Sequence, residues 1–224
     1  MNDHRLQLIG ASSHDSLSGD DNPHDRIKAY TRAMRSALVV EDHVEVAKYI
    51  DMIDTANREA LILSDRDSLT GLMRRKTFEE DYGAAQAMLD RNDLPFAMMF
   101  VDIDNFKNVN ENYGHLAGDA VLKEVANRMS AGLRTTDGVY RHGGDEFAAI
   151  CSGVNLEGAI LAAQNTVDRV SSSPVNLGNG DRLSTSISAG VYMVREGDSF
   201  DNAYKAVDRI MYNAKDAGKN KVSF

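Results

Sequence analysis

Val139-Tyr140-Arg141-His142-Gly143-Gly144-Asp145-Glu146-Phe147-Ala148-Ala149-Ile150 is the stretch on which the reading of this chain turns. Two apolar runs flank Gly143-Gly144, a pair able to take the positive φ values that a two-residue hairpin turn demands. Asp145 and Glu146 follow directly, which sets two carboxylates at the tip of the hairpin. Turn polarity does not account for them. An acid leaving a turn is ordinarily followed by solvated residues, whereas Phe147 to Cys151 run straight into a core strand.

A second acidic strand end lies upstream. Phe96 to Val101 is a nearly unbroken apolar run, the pattern of a strand covered on both faces, and it ends in Asp102-Ile103-Asp104. Period-two alternation puts Asp102 and Asp104 on one face. Carboxylates at the mouth of a buried strand are costly unless something neutralises them. A hard divalent cation does so, and magnesium binds through one or two carboxylates together with substrate phosphates. Asp102 with Asp145 fits that description: a two-strand metal site for a phosphate ligand.

Taken together with its flanking motifs, this stretch resembles the GGDEF family, the diguanylate cyclases, whose signature is Gly143-Gly144-Asp145-Glu146-Phe147. The likeness extends over about Asp65 to Phe224 in consistent order. Asp67-Ser68-Leu69-Thr70-Gly71-Leu72 resembles the opening motif, and Asp102 to Lys107 the metal strand. Asn110, then Tyr113-Gly114-His115 through Gly118-Asp119, resembles the nucleotide-recognition segment. Tyr212-Asn213-Ala214-Lys215 and Gly218-Lys219-Asn220 resemble the closing helix and turn. One departure is Met73-Arg74-Arg75, where the family usually has x-Asn-Arg.

Composition bounds the rest. The 224 residues, 42% of them hydrophobic, suit one α/β domain of ordinary size with a smaller extension. A single cysteine, Cys151, forms no internal disulfide and fits a reducing compartment. A formal charge of −9 argues against a nucleic-acid partner, which calls for a basic face. No apolar run approaches the length of a membrane span, and Met1 to Ala11 lack the pattern of a signal peptide. A cytoplasmic protein is expected.

Residues 1–23 are polar and Ser-rich and are expected to be disordered. Residues 24–64 read as helical, with Ile27, Tyr30, Met34 and Ala37 in one register. Val46, Tyr49, Ile53, Ala56, Ala60 and Leu63 form a second, the seam of a short coiled coil or of a helix packing on a neighbour. Glu41-Asp42-His43 interrupts the first register, so a stutter or a junction of two helices is expected there. The cyclase-like domain takes residues 65–224. Within it, Asp67 is expected to cap a helix over residues 76–91, and further helices to cover 117–133, 156–172 and 200–217. A strand is expected at 184–194. The pattern predicts an α+β fold with a central, mostly antiparallel sheet flanked by helices, and the resemblance implies the palm-like sheet of nucleotidyl cyclases.

The resemblance implies a magnesium-dependent (or manganese-dependent) condensation of two GTP molecules into cyclic di-GMP with release of two pyrophosphates. Asp102, Asp145 and the Ile103 carbonyl correspond to the metal ligands, and Glu146 to the adjacent catalytic acid. Gly143 and Gly144 allow nucleotide to approach the backbone. Lys107, Phe106, Lys215 and Lys219 correspond to the phosphate cradle, Lys219 standing where arginine is frequent. Asn110 and Asp119 correspond to the guanine readers. Arg134 and Asp137 fit an Arg-x-x-Asp motif at which product inhibits. Each chain holds one GTP, so a homodimer through the N-terminal helices is expected. The alternative from another class is a catalytically silent receptor for GTP or cyclic di-GMP.

Overall fold

The structure, a computed structural model, describes residues 22–39, 43–178 and 180–224. The disorder expected over the first residues falls on positions 1–21, outside the described residues. The chain divides into two compact units, Met1–Ser64 and Asp65–Phe224.

The first unit holds two helices, α1 (Pro23–Val39) and α2 (His43–Ser64); of the interruption expected at Glu41-Asp42-His43, His43 opens α2 and Glu41 and Asp42 lie outside the described residues. Helix α1 begins where the sequence permits. The Asn22 side chain accepts from His24 N at 2.8 Å, and Pro23, which has no N–H to lose, takes the first helical position. The expected boundary between 23 and 24 therefore moves back, with Pro23 already helical. The two helices pack on each other, and an ion pair between Arg26 and Glu59 ties the start of α1 to the far part of α2. They run antiparallel. Of the register expected to be the seam of a short coiled coil or of a helix packing on a neighbour, Tyr49 and Ala56 are buried, as is Ala37 on α1, while the Leu63 side chain lies outside the described residues.

The second unit is built on a six-stranded sheet of order β1-β3-β4-β2-β7-β8. Its strands are β1 (Met73–Arg74), β2 (Phe96–Ile103), β3 (Gly138–Arg141), β4 (Glu146–Ser152), β7 (Ile187–Met193) and β8 (Val222–Ser223). The pairs β3–β4, β4–β2 and β2–β7 are antiparallel, and the outer pairs β1–β3 and β7–β8 are parallel. Strands β5 (Val175–Asn176) and β6 (Arg182–Leu183) form a separate ribbon. The strand expected over 184–194 thus starts only at Ile187, because Ser184 to Ser186 make no ladder.

Every residue of β2 is buried. Alternate residues enter two different cores. Ala97, Met99, Val101 and Ile103 pack with Val121, Val125 and Met129 of α5 (His115–Gly132) and Val167 of α6 (Leu156–Ser171). Phe96, Met98 and Phe100 pack with Phe78 and Tyr82 of α3 (Arg75–Asn92) and Val207 and Met211 of α7 (Phe200–Asp216). A sheet covered on both faces explains why β2 reads as a continuous apolar run. Helix α4 (Phe106–Tyr113) follows β2 at once, entered through Asn105 in the left-handed region at φ 57°.

Asp67 does not cap α3, whose N-cap residue is Arg74 and carries no side-chain cap bond. No described helix is long and apolar enough to cross a membrane.

Helix α7 lies on β7 at the closest approach of helix and sheet. A Cβ on Gly190 would stand 2.4 Å from Met211 N and 2.8 Å from Val207 O, both backbone atoms of α7. Backbone cannot rotate away as a side chain can. Gly190→Ala is therefore expected to cost about 3 kcal/mol, the upper part of the overpacking range. Thermal unfolding should show a midpoint lowered by about 6–12 °C for a chain of this size, and an unchanged midpoint would contradict this packing.

Candidate functional site

The β2–β4 ladder sets Asp102 opposite Glu146, and Ile103 N donates to Asp145 O at 3.3 Å. The acids of two separate motifs thus meet at one sheet end. Between Arg141 and Glu146 the tight turn is centred one residue later than expected, on Gly144-Asp145: Glu146 N donates to Gly143 O at 3.3 Å and Gly143 N to Glu146 O at 3.2 Å, with His142 N also donating to Glu146 O at 2.9 Å. Neither Gly143 nor Gly144 has positive φ. Their lack of side chains matters for space instead: a Cβ on Gly143 would lie 3.1 Å from Glu146 Oε2, and Gly144 faces open space.

Asp102 is 7% exposed. Its position follows from the pleat, since it continues the alternate series Phe96, Met98, Phe100, whose side chains face α7. From the last turn of α7, Lys215 Nζ reaches Asp102 Oδ2 at 2.7 Å. Burial nevertheless pushes the Asp102 carboxyl up to about 6, against the pull of Lys215 and aided by the charges of Asp145 and Glu146. The donor set is all oxygen, and a cation already stands on Asp102, so the residues suit a hard divalent ion. Among the described residues no three His, Cys, Asp or Glu side chains are grouped to hold a metal. Any such ion must draw on main-chain and ligand oxygens as well as on Asp102 and Asp145.

Asp104 is buried too, but its carboxylate is fully occupied. Oδ2 accepts from Ser186 Oγ at 2.6 Å and Asn220 N at 3.0 Å, and Oδ1 accepts from Ser188 Oγ at 2.6 Å. It clamps β7 and the closing turn to the end of β2. Lys219, at φ 63°, donates through Nζ to Asn105 Oδ1 and so ties that turn to the start of α4. Lys107 is exposed and lies 3.6 Å from Glu111 on its own helix, so the structure does not bring it to the acids.

The α4–α5 corner, where Gly114 sits at φ 82°, brings Asn110 of α4 against Gly118 of α5, the residue before Asp119. A Cβ on Gly118 would stand 2.1 Å from Asn110 Oδ1 and 3.2 Å from Phe106 Cζ. Gly118 is thus what lets Asn110 lie against α5. The sequence placed Gly118 in a motif without giving it this task.

Arg141 is the main residue that sequence reasoning missed. Its Nη2 donates to Gly144 O at 2.8 Å, and its Nη1 to Asp67 Oδ1 at 2.9 Å. The same Asp67 oxygen accepts from Thr70 N and Oγ1. Burial alone would raise the Asp67 carboxyl, but the bonds from Arg141 and Thr70 outweigh it and hold it below its ordinary value. The opening motif and the acidic loop are therefore joined by one guanidinium. Only its place two residues before Gly143 could have flagged it.

His142 lies in an aromatic cluster, with Phe100 at 5.3 Å and Tyr204 at 5.2 Å between ring centroids, and its Nε2 is 3.1 Å from Tyr204 Oη. Nδ1 is buried without a partner. Burial, with the Arg75 charge, holds its pKa below the ordinary value.

Arg134 and Asp137 sit at the other end of β3. They make no ion pair. Asp137 Oδ2 accepts from Arg134 N at 2.9 Å and Asp137 N donates to Arg134 O at 3.0 Å, forming a tight turn in which Asp137 Oδ1 is buried and unpaired. An open cavity of about 410 Å³ adjoins it, lined by Asp81, Met88, Leu94, Thr135 and Tyr140 among others.

The chain is similar to known proteins over most of its length. A family model described as "Diguanylate cyclase, GGDEF domain" matches residues 64–221. The chain is 38% identical over 160 residues to the uncharacterized protein YhcK of Bacillus subtilis, covering 70% of this chain and 45% of that protein. It is 33% identical over 188 residues to the response regulator PleD of Caulobacter vibrioides, covering 82% and 41%. It thus spans less than half the length of these curated relatives. The crystal structure of the GGDEF domain of DgcB from Caulobacter crescentus in complex with c-di-GMP superposes with a TM-score of 0.69 at 26% identity, covering 71% of this chain and 92% of that one.

The buried imidazole carries a pH signature. Because His142 is harder to protonate folded than unfolded, the unfolded chain binds more protons below about pH 6.5, and stability falls as pH drops from the unfolded pKa towards the folded one. Unfolding midpoints measured from pH 7.5 to 5 should therefore fall less steeply in His142→Phe than in the parent. Parallel profiles would show that His142 does not titrate in this way.

Proposed function

The chain belongs to the GGDEF family of diguanylate cyclases, and from that premise we propose that it is an active enzyme that condenses two GTP molecules into cyclic di-GMP. Synthesis of cyclic di-GMP is the activity of the family. The observation that carries the reading for this chain is the buried Asp102 beside Asp145 and Glu146, with Lys215 poised over them.

A divalent cation held by Asp102, Asp145 and the Ile103 carbonyl would supply Lewis-acid activation of a ribose hydroxyl and neutralise triphosphate charge. The chain's own groups have separate tasks. Asn110 and Asp119 read guanine, the carboxylate accepting from N1–H and N2–H and the amide pairing with ring or exocyclic atoms. Phe106 packs beneath them. Lys215 and Lys219 meet phosphate oxygens, and exposed Lys107 can turn from Glu111 to do the same. Gly143 and Gly144 leave the backbone open to the nucleotide, and Glu146 supports the acid cluster beside Arg75. Joining two GTP molecules requires two such half-sites, hence a homodimer. The exposed Val44 and Ile50 on α2 support association through the N-terminal helices. The unpaired Asp137 Oδ1 and the cavity beside it support product binding at Arg134 and Asp137.

Purified protein stripped of nucleotide and supplied with GTP and magnesium should yield cyclic di-GMP, and Asp145→Ala should lower the rate at least about a hundredfold, as removal of a metal or charge-stabilising group does. Retention of cyclic di-GMP without turnover would point to the receptor reading instead. In the active enzyme, Arg134→Ala should relieve inhibition by added product. Gly118→Ala should raise KM for GTP about tenfold or more while kcat changes less, because it displaces a reader of the base rather than a group at the reacting phosphate.

A further inference from the structure

Asp145 and Glu146 lie close enough to Asp102, at the ends of β2 and β4, for their charges to act on it, and the Lys215 ammonium stands on Asp102 itself. The Asp145 and Glu146 carboxylates make no ion pair among the described residues, whereas Lys215 Nζ lies 2.7 Å from Asp102 Oδ2. The pair is largely sheltered, with side chains 28% and 10% exposed. Such a short charge-assisted contact occupies one of the two oxygens that a metal bound by Asp102 would use. The neighbouring lysines are engaged elsewhere, Lys219 with Asn105 and Lys107 with Glu111. Drawing α7 back to free Asp102 would pull its backbone off Gly190, where helix and strand are in close contact. The Lys215 side chain can leave on its own, and its long flexible stem permits that.

We infer that Lys215 is a resident counterion of Asp102, so that a divalent cation binds well only once nucleotide has drawn Lys215 away. The inference rests on the cyclase reading of the site and deepens it. Without nucleotide, an entering dication must displace an ammonium from its partner and leave that ammonium beside a double positive charge. A triphosphate removes this penalty by offering Lys215 oxygen partners of its own. Metal and nucleotide then raise each other's affinity by the same factor, as thermodynamic linkage requires. Lys215 is a positioning residue on this account before it is a phosphate contact.

The test is manganese binding to the full, nucleotide-free chain, followed by electron paramagnetic resonance of the free ion, with and without a non-hydrolysable GTP analogue. The parent should bind manganese weakly alone and about tenfold or more tightly with the analogue. Lys215→Met, which keeps the stem and removes the charge, should bind manganese alone about tenfold more tightly and show a smaller gain from the analogue. Lys215→Arg should stay weak, and Lys205→Met, at an exposed position of α7 away from the acids, should match the parent. Equal tightening in Lys205→Met would mean a general field effect and overturn the inference, as would a Lys215→Met protein that binds like the parent. Lys215→Gln serves if Lys215→Met fails to fold by circular dichroism. Product formation from GTP is scored separately, so an active parent with unchanged manganese binding in the variant defeats this inference while the cyclase reading stands.

Discussion

The sandwiching of β2 between two helical layers is the constraint on which the rest of the molecule depends. All eight of its residues are buried, and the strand ends in an acid that neither layer can solvate. An isolated carboxylate there would be costly. The fold offsets part of that cost with Lys215 of α7, while the neighbouring Asp145 and Glu146 add to it, and β7 with the closing turn takes up Asp104. Apolar burial and functional charge are thus two consequences of one element, and the acid is perturbed because the strand that carries it is so well covered.

Much of this was legible in the sequence because it is local and periodic. The apolar run before Asp102, the 3.6-residue spacing of Phe78, Tyr82, Ala85 and Leu89, and the acids that lead directly into a core strand each report a structural fact within a few residues of themselves. The antiparallel centre of the sheet and the meeting of Asp102 with Asp145 followed from them. Boundaries were less legible. Ser184 to Ser186 alternate like a strand but form no ladder, Ser186 meeting only Asp104 beyond the end of β2, and a pattern in one segment cannot reveal how far its pairing extends. The Val46 to Ala60 stripe needed something to cover it, and the sequence could not tell whether that was a second chain or α1.

What escaped entirely depends on distant atoms. Arg141 joins Asp67 to Gly144, a link between residues 74 positions apart. Gly190 matters because of Val207 and Met211, and Gly118 because of Asn110. A glycine whose purpose is clearance leaves no trace in its own neighbourhood. The Gly143-Gly144 pair shows the converse: the positive φ that suggested it for a turn is not used, and the missing side chains leave room beside Glu146 instead.

Both edges of the sheet end in a two-residue strand, β1 on one side and β8 on the other, and Met73 of β1 is further engaged by a bridge to Arg66. Edge strands so short offer little main chain of their own on which another molecule could extend the ladder. Self-association by β-addition, the usual hazard of a sheet rich in apolar strands, has little to build on at β1 and β8, whereas contacts through helices and loops can form and part without unzipping the sheet.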